Sequence, residues 1–394
     1  MPQLRTAVPA PASRTPLRGW LAVGSVTAGL FAIVTVEILP IGLLPSIGQS
    51  FDVTDGTAGL TMTMPGFLAA LSAPLVTTAT SRVDRRTMLC AFMALLAAAN
   101  LLAATAPAYW LVLVSRVMVG VTIGGFWSIA AGLAVRLVAP GSAARATAVI
   151  FSAVPLGSVL GVPAGTFVGE AAGWRTAFGA LGVLSLCVWG AMLAVLRPLP
   201  PEQALRVAVL RESVRGRGVR GALWTTVVVV LAHFGAYTYV TPFLGEVTGV
   251  GPDLVTVFLL AYGAAGIAGN FLGGAAVARR PRAAFVTAAG LIACATLLLP
   301  VLGDRPVGAV VLLVVWGIAY GAVPVCSQAW FAAALPRAPE AASVLFTASF
   351  QATLSLGALA GGAVLDRTSS STVMVLGGLT AVLAVAVGAR RGPG

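Results

Sequence analysis

From Trp20 to Leu44 the chain runs for 25 residues with a single charge, Glu37. About 20 apolar residues are enough to cross a bilayer as a helix. Inside hydrocarbon the backbone must satisfy its own hydrogen bonds, which leaves helices or closed barrels as spanning structures. Windows of the same kind recur along the whole chain. Bounded by Gly, Pro and charge clusters, they predict twelve spans at approximately 20–44, 57–80, 87–106, 108–135, 143–169, 174–196, 222–245, 254–277, 283–302, 306–335, 341–365 and 372–389. The expected fold class is all-α, a polytopic membrane protein with twelve transmembrane helices.

Composition agrees with that class: 58% of the 394 residues are hydrophobic and 9% are charged. All 24 basic residues are arginine. Without lysine there is no P-loop, no Schiff base and no pyridoxal phosphate attachment, so an ATP-driven pump within this chain alone is excluded. The net charge of +12 is scattered between spans and forms no stripe, which argues against nucleic acid as a partner. It reads as a topology signal instead. With the N-terminus inside, the outer loops hold only Arg175, Arg305 and Arg367, while Asp52, Asp55, Glu170, Glu246, Asp253, Asp304 and Asp366 lie outside. That asymmetry predicts cytoplasmic termini, with residues 1–19 and 390–394 as tails. The first span is longer than a signal-peptide core and no cleavage site follows it, so it is expected to stay in the mature protein. Cys90, Cys187, Cys294 and Cys326 have no paired spacing and read as packing residues.

The loop 197–221 carries six arginines against Glu202 and Glu212 and falls at mid-chain, as a linker between halves at 20–196 and 222–389 would. A repeat supports that division. Gly120 and Gly124 recur as Gly317 and Gly321, displaced by 197 residues, and Gly161 and Gly165 recur as Gly357 and Gly361, displaced by 196. Two parallel six-helix repeats with a site between them is one of the recurrent transporter plans.

A carboxylate within a span costs roughly 3 kcal/mol even on permissive insertion scales, so Glu37 needs a partner, a water-filled cavity or a proton. By chain position Glu37 and Arg116 sit at similar depth, about 10 Å from the outer end of their helices. Burial favours the neutral acid and a nearby guanidinium favours the anion, and a site balanced between the two exchanges protons. The plainer readings are a static ion pair for Glu37 and snorkelling to the interface for Arg116. His233, the single histidine, lies one turn before Tyr237, so both face one side; it reads as a proton relay or as a hydrogen-bonded packing residue. Thr35, Tyr237, Tyr239 and Gln351 suit a pocket for a neutral solute with a flat ring.

Phe126 and Trp127 follow Gly124 and Gly125 and are candidate solute contacts, although an interfacial aromatic belt explains Trp127 and Trp330 as well. The fifth span carries Gly157, Gly161, Gly165 and Gly169 with Pro155 and Pro163 among them. That spacing permits close helix packing and bending during gating. Asp84, Arg85 and Arg86 form a short inner loop in which Asp84 either caps a neighbouring helix or holds an inner gate shut. The sequence contains no metal-ligand cluster, nucleotide loop or nucleophile elbow, so neither a metal nor a cofactor is expected. An intramembrane enzyme built from Glu37, His233 and Arg116 is the rival class, and the repeat argues against it.

Over essentially its whole length the chain resembles the major facilitator superfamily, and within it the drug/proton antiporter branch. Arg116 with Gly120 and Gly124 is similar to that branch's fourth-helix motif, associated with proton coupling. Gly157, Gly161, Pro163 and Gly165 resemble its fifth-helix antiporter motif, although Val162 separates a glycine and proline that are usually adjacent. Asp84-Arg85-Arg86 resembles a shortened form of the family's gating motif. Thr35-Val36-Glu37 with Leu39-Pro40, Gly124-Gly125-Phe126-Trp127, Gly173-Trp174-Arg175, Tyr237 to Pro242, and Trp316-Gly317 with Val323-Pro324-Val325 resemble the branch's bacterial exporters of purine ribonucleosides.

The resemblance implies a major facilitator fold in the bacterial inner membrane. It further implies proton-driven export of purine ribonucleosides by alternating access, with Glu37 as the proton carrier tuned by Arg116. Drugs of the chloramphenicol type and sugars are the alternative cargoes. The expected partners are a small-molecule substrate, protons and the lipid bilayer, and the chain is expected to act as a monomer and not as an enzyme.

Overall fold

The computed structural model describes residues 17–80, 83–130, 133–139, 142, 145–146, 149–150, 152–200, 212–277, 279–336 and 338–391. The elements are α1 (Leu17–Ile38), α2 (Pro40–Phe51), α3 (Asp55–Ala58), α4 (Leu60–Ala79), α5 (Arg85–Thr105), α6 (Tyr109–Ala130), α7 (Ala134–Leu137), α8 (Ala153–Leu156) and α9 (Val162–Ala172). They continue with α10 (Trp174–Val195), α11 (Arg217–Tyr237), α12 (Val240–Glu246), α13 (Pro252–Val277), α14 (Pro281–Leu302), α15 (Pro306–Ala334), α16 (Pro339–Leu365) and α17 (Ser370–Arg391). No strand occurs among the described residues. Among the described residues, eleven helical segments are long and apolar enough to cross a membrane; a further apolar segment, 153–172, is formed by α8, a π-turn at Gly157–Gly161 and α9. Large apolar side chains such as Leu71, Phe167, Phe271 and Leu383 lie on the perimeter, where lipid replaces the missing core.

Proline and polar caps set the helix ends. Pro281, Pro306 and Pro339 open their helices, where a missing amide hydrogen leaves no bond unmade. The Asp84 carboxylate accepts from the Arg86 and Thr87 amides at the start of α5. Three expected spans differ from the sequence reading. The first is broken at Leu39, because Pro40 cannot donate to the helix before it. The seventh is broken at residues 238–239, and its helix begins at Arg217, inside the stretch read as linker. The fifth runs on to Ala172, past its expected end, and carries the π-turn at Gly157–Gly161; residues 143–144, 147–148 and 151 of its expected start lie outside the described residues. Linker residues 201–211 lie outside the described residues.

Two large hydrophobic cores form among the described residues, one from residues between Ala22 and Leu199 and one dominated by residues between Val219 and Ala384, with a small third cluster of Leu44, Ala58, Tyr239 and Val373 drawn from both halves. The glycine repeat builds the same packing twice. A methyl at Gly120 would strike the Pro65 carbonyl of α4, and one at Gly317 would strike the Tyr262 carbonyl of α13. Gly161 and Gly165 abut Thr35 and Leu39, while Gly357 and Gly361 abut the α11 backbone at Leu231 and Gly235. Each half therefore brings its first helix against its fifth, and its second against its fourth, through glycine. Cys90 and Cys326 are buried as packing residues, whereas Cys187 and Cys294 are exposed.

The loops at 52–54, 106–108, 247–251, 303–305 and 366–369 mark one face, called here the far face; the chain's first described residues lie on the opposite, near face. Side-chain hydrogen bonds that join the halves from mid-depth to the far face include, among the described residues, Gln351 to Glu37 at 2.8 Å, Thr241 to the Ile41 carbonyl at 2.8 Å, the Gly56 amide to Asp366 at 3.0 Å, and Thr256 to Glu170 at 3.3 Å.

Candidate functional site

Proline removes donors as well as bending helices. In a regular helix the Val36 carbonyl would accept from residue 40, and the Thr61 carbonyl from residue 65; both positions are proline. Arg116, fully buried on α6, takes both carbonyls, with Nε donating to Thr61 O and Nη2 to Val36 O, each at 2.9 Å. Nη2 also reaches Glu37 O at 3.4 Å. A third proline, Pro45, frees the Ile41 carbonyl, which accepts from the Thr241 hydroxyl of the other half. Arg116 therefore meets Glu37 through the backbone, and its guanidinium also lies over the Phe178 ring at 5.9 Å.

The Glu37 carboxylate turns instead to the other half, where Gln351 Nε2 donates to Oε1 at 2.8 Å. Glu37 is 8% exposed and Gln351 5%. Gln351 sits where α16 passes close to α4, since a methyl at Gly66 would press on the Gln351 carbonyl and the Ser355 hydroxyl. The amide oxygen Oε1 of Gln351 is buried without a partner. Tyr320 of α15 lies within electrostatic reach of Glu37.

Beside this pair stands an aromatic group. The His233 ring stacks on Tyr320 at 3.3 Å between centroids and on Tyr237 at 5.0 Å; Tyr237 in turn stacks on Tyr262 at 4.3 Å, and Trp316 closes the group edge-on. Trp316 Nε1 donates to His233 Nδ1 at 3.1 Å. A neutral imidazole that accepts at Nδ1 carries its hydrogen on Nε2, and that atom is buried without a partner, as is the Tyr262 hydroxyl. Tyr262, Trp316 and Tyr320 were not among the candidate contacts chosen from sequence. Their signal was present: tyrosine in the middle of an apolar span, where no interfacial belt accounts for it.

Other candidates lie elsewhere. Thr35 faces Gly161 on the fifth span, and its hydroxyl is unpartnered. Phe126 is buried in the first core and Trp127 packs against that core. Tyr239 donates to the Ala358 carbonyl at 2.6 Å and abuts Gly59 and Gly362, so it clasps the halves near the far face instead of joining His233. Trp330 is buried against Phe285, not placed in a belt. Asp84 caps α5 and accepts from the Leu199 amide at 2.7 Å, while Arg86 donates to the Leu193 carbonyl and Arg85 to Thr80 O, so this loop fastens the end of α10 within its own half. Gly157 rests on Val34; the Pro163 backbone continues α9. Among the described residues no three His, Cys, Asp or Glu side chains converge as a metal site would require.

The stacked rings lie in the core of the second half, beside the Glu37–Gln351 contact that joins the halves, and buried polar atoms beside such rings suit a flat hydrogen-bonding solute. The sequence matches the family model described as Major Facilitator Superfamily over residues 26–358. It is 31% identical over 372 residues to proteins named purine ribonucleoside efflux pump NepI from Escherichia coli (strain K12) and Shigella flexneri, covering 93% of this chain and 94% of each relative. Among solved structures, a bacterial homologue of the human lysosomal transporter Spinster, inward-facing and occupied, superposes with a TM-score of 0.77 at 17% identity, over 96% of this chain and 98% of that one. The human organic anion transporter MFSD10 (TETRAN) superposes at 0.66 with 19% identity, over 94% and 99%.

Proposed function

The chain belongs to the Major Facilitator Superfamily, and from that premise we propose that it exports purine ribonucleosides across the bacterial inner membrane in exchange for protons. The observation that carries this reading is the contact of Glu37 with Gln351 beside the His233, Tyr237, Tyr262, Trp316 and Tyr320 rings. Glu37 is the ionisable acid of the pair, and it lies where the halves meet. The rings offer flat faces for a base, and the unpartnered His233 Nε2 and Tyr262 hydroxyl offer polar contacts. The relatives named as purine ribonucleoside efflux pumps support the same cargo.

In the proposed cycle the acid alternates between proton and solute states as the halves rock. Glu37 binds the proton, Arg116 holds the helix break that carries Glu37, and Gln351 links it to the second half. His233 acts as a hydrogen-bond donor to the solute more readily than as a relay, because Trp316 already donates to its second nitrogen. The chain works as a monomer with both termini in the cytoplasm.

The test is uptake of labelled inosine into inverted vesicles energised by an acid-inside gradient, comparing wild type with Glu37→Gln. Accumulation that needs the gradient and vanishes in the variant supports proton-coupled nucleoside export. Gradient-independent movement, or accumulation of drugs or sugars without nucleoside, overturns the coupling or the cargo respectively.

A further inference from the structure

The cross-half bond between Gln351 and Glu37 is single, and the amide has a second function left over. Gln351 Nε2 donates to Glu37 Oε1, while Gln351 Oε1 is buried with no donor in reach. A carboxylate has no hydrogen to give, so an ionised Glu37 can satisfy the amide N–H and never the amide oxygen. A protonated Glu37 carries an O–H. Its carbonyl oxygen still accepts from Nε2, and its hydroxyl donates to Gln351 Oε1, closing a two-bond ring of the kind primary amides form with carboxylic acids.

We propose that Gln351 is the residue through which the second half reads the protonation of Glu37: a proton added to the carboxylate turns one cross-half hydrogen bond into two and locks the far face closed. The inference rests on the proposed proton-carrying role of Glu37 and says how that proton becomes a conformational signal. The step balances simply. One proton passes from solvent to the carboxylate, and no other covalent bond changes.

Placement favours a lock over a casual contact. Gln351 sits at the narrow crossing of α16 and α4, where Gly66 admits it and Ser355 donates to its carbonyl at 3.1 Å, so its position is fixed by backbone packing. Glu37 is the last but one residue of α1, immediately before the break at Leu39. The ionisable groups facing Glu37 are Arg116 on α6 and Tyr320 on α15. Arg116 is engaged with the backbone through Nε and Nη2, while its Nη1 is buried without a partner, and in this arrangement the carboxylate is bonded to the amide and not to the guanidinium. At the far face Asp55 has Glu246 and Asp366 as like-charged neighbours. The lock is therefore read as the part of any far-face response that depends on Gln351.

The experiment places spin labels at Gln49→Cys and Thr368→Cys, one on each half at the far face, in full-length chain with its four native cysteines replaced by serine. Distance distributions are recorded in nanodiscs at pH 5.5 and 8.0. In the parent, acid is expected to raise the closed population roughly fivefold to tenfold, the worth of one added buried hydrogen bond. Gln351→Asn, one methylene too short to span the gap, is expected to lose most of that response. Glu37→Gln can form the two-bond pair at any pH and is expected to stay closed at both; adding Gln351→Asn to it is expected to release the far face.

A parent that ignores pH, a Gln351→Asn chain that keeps the full response, or a double variant as closed as Glu37→Gln each overturns the lock. Solute uptake by the same chains separates this from the functional reading. If acid closes the far face through Gln351 while uptake ignores the proton gradient, the lock stands and antiport falls.

Discussion

Arg116 donates through Nη2 to the Val36 carbonyl that Pro40 leaves without an amide partner, and through Nε to the Thr61 carbonyl that Pro65 leaves likewise. A buried arginine that replaces two missing backbone donors is part of the helix architecture before it is part of any proton path. Each orphaned buried carbonyl costs about 1–3 kcal/mol, so Arg116→Leu is expected to lose roughly 2–6 kcal/mol of stability. Restoring the amides with Pro40→Ala and Pro65→Ala in the same chain is expected to recover part of that loss. Denaturation of the purified variants in detergent measures both, and a triple variant no more stable than Arg116→Leu would refute the replacement.

His233 and Glu37 are expected to separate kinetically. Trp316 donates to His233 Nδ1, so the imidazole serves the solute with its remaining N–H. His233→Ala is expected to raise KM by about tenfold, a hydrogen bond's worth, while accumulation still follows the proton gradient. Glu37→Gln is expected to abolish the gradient dependence itself. Loss of gradient dependence in His233→Ala, measured in inverted vesicles across pH, would return the histidine to the proton path.

The duplicated glycine contacts predict duplicated sensitivity. A methyl at Gly120 meets the Pro65 carbonyl and one at Gly317 meets the Tyr262 carbonyl, both of them backbone that cannot rotate away. Either substitution to alanine is expected to destabilise by about 1–3 kcal/mol through overpacking. Gly24, Gly190 and Gly245 have nothing near the position a methyl would take, and alanine there is expected to be tolerated. Thermal unfolding of the five variants sorts them; equal tolerance at Gly317 and Gly24 would contradict the packing.

At the far face Asp366 accepts from the Gly56 amide across the halves at 3.0 Å. Hydrogen bonds to charged groups contribute about 1.5–3 kcal/mol, so Asp366→Ala is expected to speed amide exchange in residues 54–59 at least tenfold. Unchanged exchange there would mean that the bond does not help hold the halves together.

Much of this arrangement was legible in the sequence. The apolar windows located the helices, and the displaced glycines located the repeat, because close helix contact tolerates little besides glycine. Matching depths brought Glu37 toward Arg116, but depth cannot say which atom of Glu37 is met. The prolines decided that, since the Val36 and Thr61 carbonyls had no other donor and took the guanidinium, leaving the carboxylate for Gln351. Tyr262 and Tyr320 escaped for a related reason. Their helices are apolar on every side, so the pattern of residues gave no face and hence no direction for either ring. Tyr239 was grouped with Thr35, Tyr237 and Gln351 as a pocket residue, yet the break at residues 238–239 turns it toward Ala358 and away from His233.

Four of the bonds that fasten the halves stand at successive depths, Asp366 and Glu170 outermost, then Thr241, with Gln351 innermost. Each alone contributes roughly 1–3 kcal/mol, a small part of what holds a folded chain together. A seam sewn with separate light stitches frays from its edge inward, so the rim parts and rejoins many times before the innermost stitch is tried. In the proposed cycle, opening on that side is timed by the deepest contact, and water enters from there when Glu37 lets go.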